Sequence, residues 1–351
     1  MNQLSQPQPT DSDQSRWHGS LELRFALAHG KTQPIHTYAK APLKVQRPFY
    51  PEGLEVCHSV VLHTAGGMVA GDKLSQDIHL ESGTHALITT AAASKAYGKG
   101  SSSASLRNYS IKNENNSASL NQTEARQNIS SANPENNSAS LNQTEARQNI
   151  SSANPENNSA SLKKPETRQI IRIQVETGAC LEWLPQETIV FNGAVYRQDL
   201  RVELAPGARW LGWEITRFGR SARGERFVEG NWRSHTEVWQ QGHPQWIDRQ
   251  WLPASEATFS SPYGLAGQPV VGTLVLVGEA LSSEILEQAR ELWNAREYVG
   301  EAGVTQLMSG LLCRYRGGST EEVRHWFTEV WQLLRVNLFG RPIIKPRVWP
   351  L

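Results

Sequence analysis

The chain is poor in cysteine. Cys57, Cys180 and Cys313 are the only three in 351 residues, and they form no CxxC pair. That argues against a disulfide framework and against a structural zinc site. Charge of one sign is equally scarce: 35 Lys+Arg stand against 34 Asp+Glu, a formal net charge of +1. No general field therefore draws the chain to nucleic acid or to an anionic membrane. No apolar run approaches the ~20 residues that cross a bilayer as a helix. The opening stretch, MNQLSQPQPTDSDQSR, lacks the apolar segment of a signal peptide, so residues 1–18 read as a disordered tail on a soluble, cytoplasmic protein.

Catalytic and nucleotide signatures are missing as well. There is no G-x-S-x-G elbow, no HExxH and no EF-hand loop. The stretch HTAGGMVAGDKL, His63–Leu74, looks like a phosphate loop at first sight. Gly66, Gly67 and Gly71 do not keep G-x-G-x-x-G spacing, and Gly71 is followed by Asp72 where a P-loop needs lysine. FALAHGKT fails too, with Phe25 where the first glycine belongs. These glycines instead suit a sharp turn between sheet layers, which would hold Asp72 at a corner. A purely structural turn carrying a solvated aspartate is the competing reading. Cys57, His58, His63, His79 and His85 fall close in sequence, but strand alternation puts some of them on opposite faces, a weak ligand set.

What is present is β pattern. SQDIHLESGTHALITT alternates around Ile78 and Leu80, turns at Ser82-Gly83 and resumes through Ala86 and Ile88. Thr177-Gly178, Asn192-Gly193 and Pro206-Gly207 punctuate further short runs, and Gln241-Gly242 marks a hairpin. Turns at this spacing predict stacked sheets rather than βαβ units. Helical spacing enters only near the C-terminus. Ser282 or Ser283 caps a helix carrying Ile285, Ala289, Leu292 and Trp293. Ser319 and Glu322 make a capping box before Val323, Trp326, Phe327, Val330 and Leu334. The fold class expected from this pattern is mainly β, with layered sheets and a small C-terminal helical part.

One segment stands apart. ENNSASLNQTEARQNISSANP begins at Glu114, recurs at Glu135 and starts again at Glu156, an identical repeat at a 21-residue step. Identity that complete indicates recent duplication, and each copy has too few apolar residues to offset the entropy of ordering it. Residues 101–165 therefore read as a disordered insertion in a single domain spanning 19–351. Its sequons at Asn115, Asn121 and Asn128 have no secretion signal to make them glycosylation sites.

The remaining pieces, in order, are HTAGGMVAGDKL, ALITTAAASKAYG, CLEWLPQETIVFNGA, WEITRFGRSARGERFVEGNWRSHTEVW and RYRGGSTEEVRHWFTEVWQLLRVNLFGRPIIKPRVWPL. Together they resemble the urease accessory protein UreD (UreH) family from about Leu21 to Leu351, outside the insertion. Thr64-Ala65 departs from the family's two prolines. The resemblance implies a scaffold of stacked, β-helix-like sheets, not an enzyme, that binds apo-urease and, through UreF, the GTPase UreG, so that nickel reaches urease. No cofactor is then tightly bound, and nickel is transient. An ion handed onward needs separated carboxylates and a hydrated interior rather than a strong chelating cluster. Asp72 and Glu187 are the residues expected to line or gate such a path, with Glu182 and Asp77 as further candidates. In the C-terminal GRPIIKPRVWPL, Arg341, Arg347 and Trp349 either dock a partner or pack on their own domain. A different class of function, a hydrolase with Asp72 and Glu187 as acid–base pair, predicts both carboxyls in one pocket.

Overall fold

The computed structural model describes residues 17–98 and 165–349. The expected tail lies outside these apart from Trp17 and His18, and the expected insertion lies outside apart from Pro165. In chain order the strands begin with β1 (His18–Ala28), β2 (Lys31–Lys40), β3 (Leu43–Val45), β4 (Val56–His63), β5 (Lys73–Leu80), β6 (His85–Thr90) and β7 (Ser94–Ala96). Then follow β8 (Thr167–Val175), β9 (Cys180–Trp183), β10 (Thr188–Val190), β11 (Val195–Leu204), β12 (Arg209–Phe218), β13 (Asn231–Gln240) and β14 (His243–Pro253). The short helix α1 (Glu256–Ser260) leads to β15 (Val270–Val277), α2 (Ser283–Asn294), β16 (Glu301–Leu307), β17 (Gly310–Gly317) and α3 (Thr320–Phe339). Among the described residues strands take 49% and helices 15%, so the mainly β expectation holds.

Two sheets carry the architecture. One runs β14-β13-β11-β8-β5-β1-β2, and the second runs β16-β17-β15-β12-β9-β6-β4-β3 with β10 and β7 attached beside β12. From β4 to β13 the chain passes back and forth between them. Each strand pairs in parallel with the strand one coil earlier: β1–β5–β8–β11–β13 in the first sheet, β4–β6–β9–β12 in the second. The turn spacing anticipates stacked or sandwiched sheets, and the coiling between them is the β-helix-like arrangement that the family resemblance implies. Three corners from first sheet to second repeat one design, ESGT, ETGA and APGA, each closed by a hydrogen bond from the fourth residue's N–H to the first residue's carbonyl. The glycine of each takes a positive φ of 70–73° that a Cβ would strain. The hairpin at Gln241-Gly242 is real, with φ of 50° and 76°. FALAHGKT turns out to be a second such hairpin, turning at His29-Gly30.

Burial separates the sheets. In the first, β5 and β13 alternate buried and open positions, because only the inner face is covered. In the second, β6, β9 and β15 are buried almost continuously, since both faces are covered. The inner core joins Leu21, Phe25, Ile78 and Ile173 of one sheet to Ile88, Leu181 and Val275 of the other. On the outer face of the second sheet, α3 lays down Val323, Trp326, Phe327, Val330, Trp331 and Leu334, all essentially inaccessible. Truncating Trp326 or Phe327 to alanine there costs about 3–5 kcal/mol. Ser319 caps α3 by accepting from the N–H groups of Glu321 and Glu322. The capping box is only half built, however. The Ser319 N–H donates to the Tyr315 hydroxyl, while Glu322 accepts from the Val299 N–H and the Tyr315 hydroxyl.

Candidate functional site

The four carboxylates singled out by sequence lie in four different settings. Asp72 is buried, and both its oxygens are taken by backbone: Oδ1 accepts from the Trp17 N–H at 3.0 Å and Oδ2 from the Val69 N–H at 2.8 Å. Its own carbonyl accepts from the Arg168 N–H at 2.9 Å, so one residue ties the start of β1, the corner and the start of β8 together. Within that corner Gly67 (φ 143°) and Gly71 (φ 97°) need a glycine's backbone, whereas Gly66 does not. A Cβ on Gly67 would sit 2.5 Å from the Tyr97 ring. Asp77 is on the solvent face of the first sheet, half-exposed and 3.4 Å from Arg172. Glu182 is fully buried on the outer face of the second sheet, beneath α3. Glu187 pairs with Arg324 at the mouth of a cleft that Asp72 does not line.

Cavities connect what the sequence does not. The cleft beside Glu187 is lined by Glu321, Glu322, Arg324 and His325 of α3, and it shares Gln186 with a cavity between the two sheets. That inner cavity, about 40 Å³, has room for a few water molecules. It shares Gln76, Thr90, Ser94 and Gln169 with a third cavity of about 180 Å³, which reaches Gly66, Gly67, His63 and Lys95 at the glycine corner. Three neighbouring spaces, adjacent through shared wall residues, thus lie between α3 and the corner that Asp72 braces.

The walls of the inner cavity are polar where a core is normally apolar. Gln76, Gln198 and Thr236 face it from the first sheet, and Glu214 and Thr273 from the second. Among the described residues Gln76 Oε1 and Trp210 Nε1 have no hydrogen-bond partner, and buried polar atoms left in this way are ordinarily satisfied by water. Glu214 accepts from the Ser234 hydroxyl at 2.8 Å. Burial, reinforced by the negative charge of nearby Asp248, pushes its carboxyl up to about 7. Asp248 is held by Arg314 at 2.9 Å. Gly212 is needed here because Trp210 lies across it, 2.2 Å from where a Cβ would be.

Sequence reasoning missed Glu214, Asp248 and the glutamines. The signal existed: alternation around Ile78 and Leu80 puts Gln76 on the inner face, and Glu214 interrupts the apolar run from Trp210 to Ile215. Polar residues on a core face are the mark of a lined cavity.

Across the second sheet lies a drier cluster. Glu52 binds Arg335 through both oxygens at 2.6 and 2.9 Å and contacts His58 Nε2 at 2.6 Å. Arg335 also donates to Glu182 Oε2 at 3.0 Å, and Glu182 Oε1 lies 3.3 Å from His85 Nε2. Burial alone would raise the Glu52 carboxyl, but His58 and Arg335 outweigh it and bring it down to about 2. Burial would likewise raise Glu182, and His85 with Arg335 lowers it instead. His85 shows the mirror case: burial disfavours its charge, yet Cys180 and Glu182 raise it to about 10.

The C-terminal residues expected to dock or to pack make contacts within the chain, Trp349 from a buried position and Arg341 and Arg347 from the surface. Trp349 is buried, donates from Nε1 to Thr89 Oγ1 at 2.9 Å and packs on Trp213 and Trp331. Arg347 stacks on Phe49, and Arg341 pairs with Glu55 at 2.7 Å. Among the described residues no helix is long and apolar enough to cross a membrane.

Comparison with known proteins finds relatives along almost the whole chain. A family model described as UreD urease accessory protein matches residues 18–120 and 131–350. The chain is 54% identical to the urease accessory protein UreD of Trichormus variabilis over 333 residues, covering 95% of this chain and 96% of the relative. Identity is 53% to the namesake from Nostoc punctiforme (95% and 96% covered) and 45% to that from Acaryochloris marina (97% and 98% covered).

Proposed function

The chain belongs to the UreD family of urease accessory proteins, and from that premise we propose that it is a non-catalytic cytoplasmic scaffold that passes nickel towards apo-urease through its interior. The observation that carries this reading is the run of three cavities sharing lining residues, with unpartnered polar atoms at Gln76 and Trp210 along it. Amide and hydroxyl oxygens with scattered carboxylates offer weak, exchangeable coordination to a hydrated divalent ion, and among the described residues no strong chelating cluster lines the path to trap it. Glu187 stands at one mouth and Glu214 midway. Asp72 acts at the other end by keeping the corner in place. Asp77 faces solvent and takes no part; Glu182 belongs to the cluster under α3. The cleft mouth along α3 is where a UreF–UreG complex docks, and urease receives nickel at the opposite end.

The test is to dry the junction. Gln76→Leu with Gln169→Leu keeps the bulk and removes the polar atoms where the inner and third cavities meet. Urease should still co-purify with the variant, while its nickel content, measured by atomic absorption after activation, should fall several-fold. Unchanged nickel in urease would rule out the internal route. The hydrolase alternative gains nothing from the geometry, because Glu187 lines a cleft without Asp72.

A further inference from the structure

His85, Cys180 and Glu182 come from distant parts of the sequence and meet on one face. Strands β6 and β9 run parallel with His85 opposite Cys180, and the two-residue period puts Glu182 on the same face as Cys180. Their imidazole nitrogen, thiol sulfur and carboxylate oxygen all lie within 4.8 Å of one another, and all three residues are buried. A tetrahedral ion with bonds of about 2.0–2.3 Å holds its ligand atoms roughly 3.3–3.8 Å apart. Side-chain torsions alone close these donors onto such an ion, because the strands fix the backbone. An imidazole, a thiolate and a carboxylate suit a borderline divalent ion, Ni²⁺ or Zn²⁺, and not Mg²⁺ or Ca²⁺.

The place already has a cation. Arg335 donates to Glu182 Oε2, and its Nε lies 2.5 Å from Oε1 without a hydrogen bond to it or to any other group. The guanidinium is therefore imperfectly served where it crowds Oε1, the oxygen that also faces His85. Arg335 sits near the end of α3, and the next turn closes the cluster: the Phe339 ring lies 5.0 Å from the His85 ring, just before the left-handed cap at Gly340.

We infer that His85, Cys180 and Glu182 form a transition-metal site outside the internal path, at which a divalent ion and Arg335 compete for the Glu182 carboxylate. Binding takes a thiolate and a neutral imidazole, and the protons those groups carry leave to solvent. When the ion takes Glu182, Arg335 keeps both oxygens of Glu52, so the end of α3 loses one of its two carboxylate anchors. Occupancy of the site thereby loosens the helix end from the sheet. This inference is independent of the internal route, since the site lies on the other face of the sheet.

The experiment is a Co²⁺ titration of the full chain, followed by the thiolate-to-cobalt charge-transfer band, with Ni²⁺ and Zn²⁺ as competitors. One equivalent should bind with a tetrahedral spectrum, and Cys180→Ser should abolish the band while Cys57 and Cys313 remain. Arg335→Lys, which keeps the charge but retracts it, should bind about tenfold tighter, and Glu182→Gln at least tenfold weaker. The Gln76→Leu/Gln169→Leu chain should give the same band as the parent, which separates this site from the internal route. A band that survives Cys180→Ser, or no band in either the parent or Arg335→Lys, would overturn the assignment.

Discussion

Glu182 and Glu214 occupy neighbouring strands of one sheet, β9 and β12, on opposite faces, and their carboxyls move in opposite directions. Glu182, in a dry cluster, is held ionised by Arg335 and His85. Glu214, in a hydrated cavity with a neutral serine as donor and Asp248 nearby, is pushed up to about 7. Burial opposes the charge in both places; what differs is whether a cation came with it. The outer face spends its charges on fixing α3, whereas the inner face leaves a carboxyl that titrates near neutrality. A charge free to appear and disappear suits passage, and one locked between cations suits anchorage.

The largest expected effect comes from removing the cation of the outer face. Arg335→Ala strands Glu52 and Glu182 without their counter-charge and should lower stability by about 3–5 kcal/mol, read as a shifted urea midpoint. If the midpoint stays put, the outer cluster is not an anchor and the contrast fails. The inner face should answer with the opposite sign. Because Glu214 has a folded value near 7, above its ordinary 4.5, it favours folding at acidic pH, and that contribution is lost as pH rises through 7. Glu214→Gln should therefore stabilise the chain by on the order of 3 kcal/mol at pH 8 and by almost nothing at pH 4. A uniform effect across that range would mean that Glu214 is not desolvated. The smallest change belongs to neither face. Asp77→Ala, on the solvent side of the first sheet, should shift stability by less than about 0.5 kcal/mol and leave urease nickel unaltered.

The same contrast explains what the residues disclosed in advance. The first sheet was readable because only one face is covered, so Leu74, Ile78 and Leu80 fall at every second place. The stripe on α3 was readable for a similar reason, and all five of its anticipated residues are buried. The second sheet hides its two faces behind continuous burial, so nothing local tells that Glu182 looks outward and Trp183 inward. The register of His85 against Cys180 spans the whole insertion and follows from the stacking of coils, which no short motif encodes. The path was half visible: its mouth at Glu187 lay in a familiar motif, but its length depends on which glutamines face each other across two sheets.

The coiled stacking of β5, β8 and β11 has a consequence for how such a gene can change. Strand β8 pairs residue for residue with both neighbours although residues 97–166 separate it from β7. Each passage between sheets is a seam at which text can be spliced in without shifting the ladder on either side. In general, doubling the length of a loop adds only about 0.6 kcal/mol to the cost of closing it. A stuttering 21-residue unit can thus accumulate at that seam almost unseen by selection on the fold.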